Sequence, residues 1–344
     1  MIFKGKRVVV TGGTGSLGMA LVRRILSGKE GLPGKIVVFS RDEAKQHDMR
    51  LHYRHTVAAT DEIVYNNFNQ LLEFVIGDVR DYHRVAGILR DADIVFNAAA
   101  LKQVPTCEYF PFEATQTNIL GPENIVRAIQ ENRCPVETVI GISTDKACQP
   151  VNTYGATKML MERLFAESSV EGTTFTCVRY GNVVGSTGSV IPLFQRQYAE
   201  TKRVKVTNPD MTRFWMSIDE AIDLIVIATG AQPGSIVVPM PQAMKMQDVA
   251  RAATKDNVDI DLIGERPGEK HHEMLVQFEE SVRVSMCSEP NADVRARSRI
   301  ESWYELMPPG TERGTEPFTL ASHSPNYWMT TETMRSLIED ASRV

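Results

Sequence analysis

The sequence predicts an α/β fold built on a doubly wound parallel sheet, and three features carry that expectation. Short, continuously apolar runs recur through the first half of the chain, helical patterns separate them, and a glycine-rich turn follows the first run. Parallel strands read as unbroken apolar runs because helices cover both faces of their sheet. Regular strand–helix alternation then implies a doubly wound architecture.

The expected strands are Arg7–Val10, Lys35–Phe39, Glu73–Ile76, Asp93–Asn97, Thr138–Ile142 and Phe175–Arg179. The expected helices between them are Leu17–Leu26, Asp42–Leu51, Tyr82–Leu89, Phe112–Gln130 and Tyr154–Ser168. The stretch His55–Gln70 exceeds the roughly 2–6 residues usual for such connections. It reads as a surface insertion, or more sharply as an oligomer contact. After Gly181 the rhythm turns irregular, with Gly and Pro breaking short segments. Residues 1–181, joined by about 218–238, are expected to form the main domain, with 182–217 and 239–344 as a smaller C-terminal lobe.

With 344 residues and 42% hydrophobic content, the chain can bury a large core. No apolar run of about 18 residues occurs, so no membrane span is expected. The N-terminus enters a strand-like run directly, without an apolar signal core. The five cysteines are scattered and odd in number, which fits reduced thiols rather than a disulfide framework. A cytoplasmic protein is expected. A net charge of −5 with mixed distribution argues against nucleic acid as the main partner.

The first strand runs into Thr11-Gly12-Gly13-Thr14-Gly15-Ser16-Leu17-Gly18. Glycines at 12, 15 and 18 allow a tight turn, close approach to a pyrophosphate and close helix packing. The following helix N-terminus offers free N–H groups to phosphates. Between a strand and a helix, this loop marks a Rossmann dinucleotide site. The second strand ends Val38-Phe39-Ser40-Arg41. An acidic residue there would bind the ribose hydroxyls of NAD and repel a 2′-phosphate. Ser40 removes that repulsion, and Arg41 and Lys45 can pair with the phosphate, so NADP is expected. The alternative is that Arg41 and Lys45 form a solvated helix face paired with Asp42 and Glu43. Asp78-Val79 is placed to meet the adenine, and the small Ala98-Ala99-Ala100 can pass close beneath the cofactor.

The fifth strand leads into Ile142-Ser143-Thr144-Asp145-Lys146 and then Asn152-Thr153-Tyr154-Gly155-Ala156-Thr157-Lys158. Tyr154 and Lys158, four residues apart, share one helix face. A nearby ammonium favours the phenolate and suits Tyr154 to deprotonating an alcohol during hydride removal.

This combination resembles the extended short-chain dehydrogenase/reductases. ISTDKACQPVNTYGATK, AAALKQVP, RYGNVVGSTGSVIPLF, MTRFWMSIDEAIDLI, RPGEKHHEML and SHSPNYW are similar to segments of one family within them. That family is the soluble, inverting UDP-N-acetylglucosamine 4,6-dehydratases of bacterial surface-sugar synthesis, the PseB type. The resemblance implies oxidation at carbon 4 with hydride given to NADP, loss of the carbon-5 proton and the carbon-6 hydroxyl as water, and return of hydride to carbon 6. It assigns protonation of the leaving hydroxyl to Asp145, removal of the carbon-5 proton to Lys146, and a hold on the sugar hydroxyls to Thr144. Simple epimerases need no such extra pair. The resemblance also implies substrate or cofactor contact by Lys102, although Gln103 stands where the related pattern often has His. Asn182, in Tyr180-Gly181-Asn182-Val183-Val184, resembles a substrate ligand, and the apolar residues after it can cover the nicotinamide. Arg213, Arg266 and Glu269 fit recognition of the diphosphate and of ribose or uracil. Tyr154 in the YxxxK motif implies inversion at carbon 5. A nucleotide-sugar substrate, UDP-N-acetylglucosamine or a close analogue, and a homo-oligomer (dimer or higher) are expected.

Two physical tensions accompany these roles. Adjacent strand residues point to opposite faces, so Asp145 and Lys146 reach one substrate only if the strand has ended. A lysine base must be neutral, yet an ionised Asp145 beside it favours the cation. A protonated Asp145 would relieve this, and the pair is expected to titrate as a unit. His271-His272-Glu273 lacks helix-spaced partners for a metal and reads as helix surface. The alternatives are a nucleotide-sugar 4-epimerase, a 4,6-dehydratase using a GDP- or CDP-sugar, and a scaffold that senses NADP without turnover.

Overall fold

Val8, Val9 and Val10 are all fully buried, as are Ile36 through Phe39. Strands buried at consecutive positions must be covered on both faces. The computed structural model describes residues 1–55, 70–186, 188–287, 300–311 and 316–342. It places the expected strands as β1 (Arg7–Thr11), β2 (Lys35–Ser40), β3 (Leu72–Ile76), β4 (Ile94–Asn97), β5 (Thr138–Ile142) and β6 (Thr174–Val178). These lie parallel in the order β6-β5-β4-β1-β2-β3. The sequence order reverses next to β1, so the chain ends of β1 and β4 open a crevice, the usual ligand position in such sheets.

Helices α1 (Ser16–Leu26), α2 (Glu43–His55), α3 (Tyr82–Leu89), α4 (Gly121–Asn132) and α5 (Thr153–Glu167) alternate with these strands. Asp81 caps α3 by accepting from the backbone of His83 and Arg84. One apolar cluster joins α1 to one face of the sheet, and a second joins α3, α4 and α5 to the other.

The helix expected over Phe112–Gln130 is continuous but carries a π-helical turn. Short helices cover Val104–Tyr109 and Pro111–Thr115, a π-helical turn covers Gln116–Leu120, and α4 continues from Gly121. The turn delivers Asn118, which is fully buried and bonds both ways to the Leu101 backbone (2.8 and 2.9 Å) and to Thr157 Oγ1 (3.0 Å). Asn118 thereby ties α5 to the loop after β4.

The segment at 218–238 returns to the main sheet. Its helix, Ile218–Ala228, opens on a capping box between Ser217 and Glu220. Its strand, Ile236–Pro239, pairs parallel to β6. The region 239–344, expected in the smaller lobe, also reaches this sheet. Trp303–Leu306 pairs antiparallel to Ile236–Pro239, and Val284–Cys287 pairs antiparallel to Trp303–Leu306. The sheet therefore has nine strands among the described residues. The remaining C-terminal strands form small sheets: Asn182–Val183 with Thr212–Met216 and Gln242–Lys245, Arg203–Val206 with Asp259–Leu262, and Met274–Val276 with Leu320–Ala321. The stretch His55–Gln70 lies almost wholly outside the described residues. No helix among the described residues is long and apolar enough to cross a membrane.

Candidate active site

The glycine loop is closed to side chains. Gly12 has φ +65°, and a Cβ on it would lie 2.8 Å from the Ala99 backbone. A Cβ on Gly18 would meet the Gly12 carbonyl at 2.5 Å. Thr11 ties the loop to β4, donating to Asn97 Oδ1 (2.9 Å) and accepting from the Ala99 N–H (3.3 Å). Gly15 caps α1 with no side-chain hydrogen bond. Thr14 is buried, while Ser16 and Leu17 are partly exposed at the helix start. A compact backbone cradle at an uncapped helix N-terminus suits a pyrophosphate, so these residues fit a dinucleotide.

At the end of β2, Ser40 is buried and its hydroxyl accepts from Gln46 Nε2 at 3.0 Å. Arg41 is exposed, 3.6 Å from Asp78 Oδ2, and Lys45 lies 3.6 Å from Asp42. Asp78 is also held by Arg80 (2.7 Å), and despite its burial these cations keep its carboxyl below the usual range. Val79 is buried against Gly121. Ala98 and Ala99 are partly buried, and Ala100 and Lys102 are exposed.

The chain turns sharply after β5. Ser143 and Asp145 N–H still bond to the Val178 and Tyr180 carbonyls (2.7 and 2.9 Å), and then a 3-10 turn covers Asp145–Ala147. Thr144 caps that turn, accepting from Lys146 N–H (3.3 Å) and donating to Asp145 Oδ1 (3.0 Å). Because the strand has ended, the two neighbouring side chains converge: Lys146 Nζ donates to Asp145 Oδ1 at 3.0 Å. Gly155, just after Tyr154, allows the turn to seat on α5, since a Cβ there would lie 2.2 Å from the Lys146 carbonyl. Asn152 caps α5 through the Gly155 N–H (2.8 Å).

Tyr154 lies beside Thr144 and Lys146. Burial pushes its pKa up to about 12, against the pull of Lys146 and Thr144. Lys158 is buried and donates to Met161 Sδ at 3.1 Å, and burial pulls its pKa down to about 8. Lys146 is thus a cation near Tyr154, and Lys158 lies on the same helix as Tyr154. Tyr180 is buried beside Tyr154, and Asn182 and Val183 pair with Trp215 and Met216.

Glu273 belongs to this site, which corrects its reading as helix surface. The chain there is a bend leading into the strand Met274–Val276, and Glu273 is 1% exposed. Its carboxylate lies 3.2 Å from Lys146 Nζ, 3.4 Å from Lys270 Nζ and 4.0 Å from Arg213 Nε. The cations around Glu273 outweigh its burial and hold its carboxyl below the usual range, whereas burial raises that of Asp145. Lys146 is raised: the attraction of Asp145 and Glu273 overcomes its desolvation. Arg213 also donates to the Thr212 and His271 carbonyls (2.8 and 3.2 Å), so the structure brings it to the acid–base cluster. Arg266 is exposed, while Glu269 Oε2 is buried without a hydrogen-bond partner. Asn152 Nδ2 bonds the Gly268 carbonyl (2.7 Å), so this loop abuts the start of α5.

Residues 8–290 match the model of a family described as polysaccharide biosynthesis protein. A relative from Rickettsia bellii named UDP-glucose 4-epimerase is 43% identical over 297 residues, 82% of this chain and 81% of its own. A relative from Campylobacter jejuni named UDP-N-acetylglucosamine 4,6-dehydratase (inverting) is 39% identical over 286 residues, 81% of this chain and 80% of its own. The crystal structure of Pen from Bacillus thuringiensis is 32% identical and covers all of both chains with a TM-score of 0.84.

Proposed function

Starting from the premise that the chain belongs to the polysaccharide biosynthesis protein family, within the extended short-chain dehydrogenase/reductases, we propose that it is an NADP-dependent UDP-N-acetylglucosamine 4,6-dehydratase that inverts carbon 5. The observation that carries this reading is the Asp145–Lys146 contact at 3.0 Å, with Tyr154 beside it. A 4-epimerase has no use for a second acid–base pair; a dehydratase needs one.

The loop Thr11–Gly18 would hold the pyrophosphate, with Asp78, Val79 and Ala98–Ala100 along the adenosine half and Tyr180, Asn182 and Val183 at the far end. Bound there, a nicotinamide dinucleotide supplies the reversible hydride acceptor. The exposed Arg41 and the absence of an acid at Ser40 favour the 2′-phosphorylated form. Nucleotide released from denatured protein is expected to be NADP; NAD alone would overturn that choice.

Tyr154 holds the carbon-4 hydroxyl and takes its proton, helped by Lys146. Asp145, the carboxyl raised by burial, donates to the departing carbon-6 hydroxyl, and Lys146 accepts the carbon-5 proton. Thr144 orients Asp145 and Tyr154 together. Lys102, Asn182, Arg213, Arg266 and Glu269 are the substrate-side candidates.

The second reading is a nucleotide-sugar 4-epimerase, favoured by the identity to relatives of that name. Incubation with UDP-N-acetylglucosamine in deuterated water, followed by mass spectrometry and proton NMR, separates the two. The expected early product has lost water and carries deuterium at carbon 5 in the L-arabino configuration. An isomer of unchanged mass would establish the epimerase, and an initial D-xylo product would overturn inversion.

A further inference from the structure

Asp145 and Lys146 do not form an isolated pair. Lys146 Nζ sits between two carboxylates, Asp145 Oδ1 at 3.0 Å and Glu273 Oε1 at 3.2 Å. The two are unequal. Glu273 faces Lys146 from the turn after β5, Lys270 from its own loop and Arg213 from the strand Thr212–Met216. Asp145 has only Lys146 and the Thr144 hydroxyl, and its Oδ2 is buried with no hydrogen-bond partner. The other titratable groups nearby are Tyr154, from α5, and His272, whose Nδ1 is taken up by Thr212 Oγ1 at 2.8 Å. The Glu273 backbone is pinned on both sides by Ser322, whose Oγ accepts from Glu273 N–H and whose N–H donates to the Glu273 carbonyl, each at 2.9 Å.

We propose that Glu273 is a positioning residue for the elimination step: its carboxylate, bridging Lys146, Lys270 and Arg213, sets how many protons Asp145 and Lys146 share. The inference rests on the dehydratase reading above. Elimination needs a protonated Asp145 beside a neutral Lys146. That form follows from the ion pair by moving one proton from Lys146 Nζ to Asp145 Oδ1 across their 3.0 Å hydrogen bond, with no change in total charge. The active window is therefore the pH range in which the pair holds one proton in total, bounded by two macroscopic ionisations. A fixed negative charge beside the pair raises both boundaries, because it favours Lys146 as a cation and disfavours Asp145 as an anion. Glu273 is that charge, and its own cations keep it ionised.

The test is the pH profile of water loss from UDP-N-acetylglucosamine, read together with deuterium incorporation at carbon 5. For Glu273→Gln, both limbs are expected to move to lower pH by about one pH unit or more. Glu273→Asp, which keeps the charge, is expected to restore the wild-type profile. Lys270→Gln removes a cation from the same cluster and is expected to move the profile to higher pH. It keeps the proposal testable if Glu273→Gln fails to fold. Uniformly reduced activity with unmoved limbs in the Glu273→Gln and Lys270→Gln variants would mean a structural role only and would overturn the proposal. Absence of water loss from the wild type would overturn the dehydratase reading and this inference with it. Water loss from the wild type with superimposable variant profiles would overturn this inference alone.

Discussion

Two buried clusters that set a cation between two carboxylates, one around Arg179 and one around Lys146, are built to opposite ends. In the first, Arg179 at the end of β6 forks onto Glu162 of α5 (2.9 and 2.6 Å) and onto Glu280 (2.7 and 3.0 Å), and donates to the Leu275 carbonyl (2.9 Å). Ser143 Oγ adds a bond to Glu162 at 2.6 Å. In the second, Lys146 sits between Asp145 and Glu273, and each of those carboxylates keeps one buried oxygen without a hydrogen bond. Arginine stays charged and fits carboxylates in a fixed planar fork, whereas a lysine ammonium is a rotatable point charge that can give up its proton. The saturated cluster locks α5 and the C-terminal region to β6. The unsaturated one leaves a proton able to move between Lys146 and Asp145.

The largest expected effect separates the clusters by activity. Lys146→Ala should lower water loss by about 10²–10⁴-fold, the usual worth of a general acid–base group. Its cofactor content should stay near wild type, because the turn after β5 is separate from the glycine loop after β1. Near-normal turnover would remove Lys146 from the mechanism and erase the functional half of the contrast.

The next effect is on stability. Arg179→Met leaves two carboxylates buried against each other with no cation between them. Breaking a buried pair from one side costs about 3–5 kcal/mol, a large share of the roughly 5–15 kcal/mol that holds a domain together. Urea unfolding should report that loss. Wild-type stability in Arg179→Met would mean that the network relaxes or admits water.

These clusters differ in how far the sequence exposed them. β1 to β6 were legible because parallel strands leave unbroken apolar runs. The glycine loop and the Asp145–Lys146 contact were legible because their residues are local in the chain. Glu273 was not. In His271-His272-Glu273 no periodicity distinguishes a buried carboxylate from a helix face, and only the pairing of Met274–Val276 with Leu320–Ala321 fixes the strand it leads into beside the turn after β5. Glu162, Arg179 and Glu280 come from a helix, a strand end and a short C-terminal helix, and nothing in their spacing announces a shared site. Asn118 was hidden inside an expected continuous helix, since a π-helical turn has no signature in apolar spacing. The spacing of Tyr154 and Lys158 was right about their shared helix, but the contact at Lys158 Nζ is Met161 Sδ.

The smallest effect has a sign that distinguishes the clusters. Glu280 has its folded pKa lowered by Arg179 despite burial, so its contribution to stability is present above the unfolded value of 4.5 and is lost as pH falls through the folded value. Asp145 is opposite: burial raises its folded pKa above the unfolded 3.8, so its contribution is complete below that value and is lost as pH rises through the folded one. At neutral pH the Asp145 carboxyl therefore costs the fold free energy. Asp145→Asn removes that ionisation while keeping the size and polarity of the side chain. It should abolish water loss, because an amide cannot act as the acid, yet raise stability at neutral pH. The gain should shrink as pH falls through the folded pKa of Asp145 and be gone well below 3.8, where the wild-type carboxyl is protonated in both states. Urea unfolding of wild type and variant across this range reads the difference directly. A variant less stable than wild type at neutral pH would mean that the Asp145–Lys146 pair supports the fold as the Arg179 network does, and the contrast between the clusters would fail.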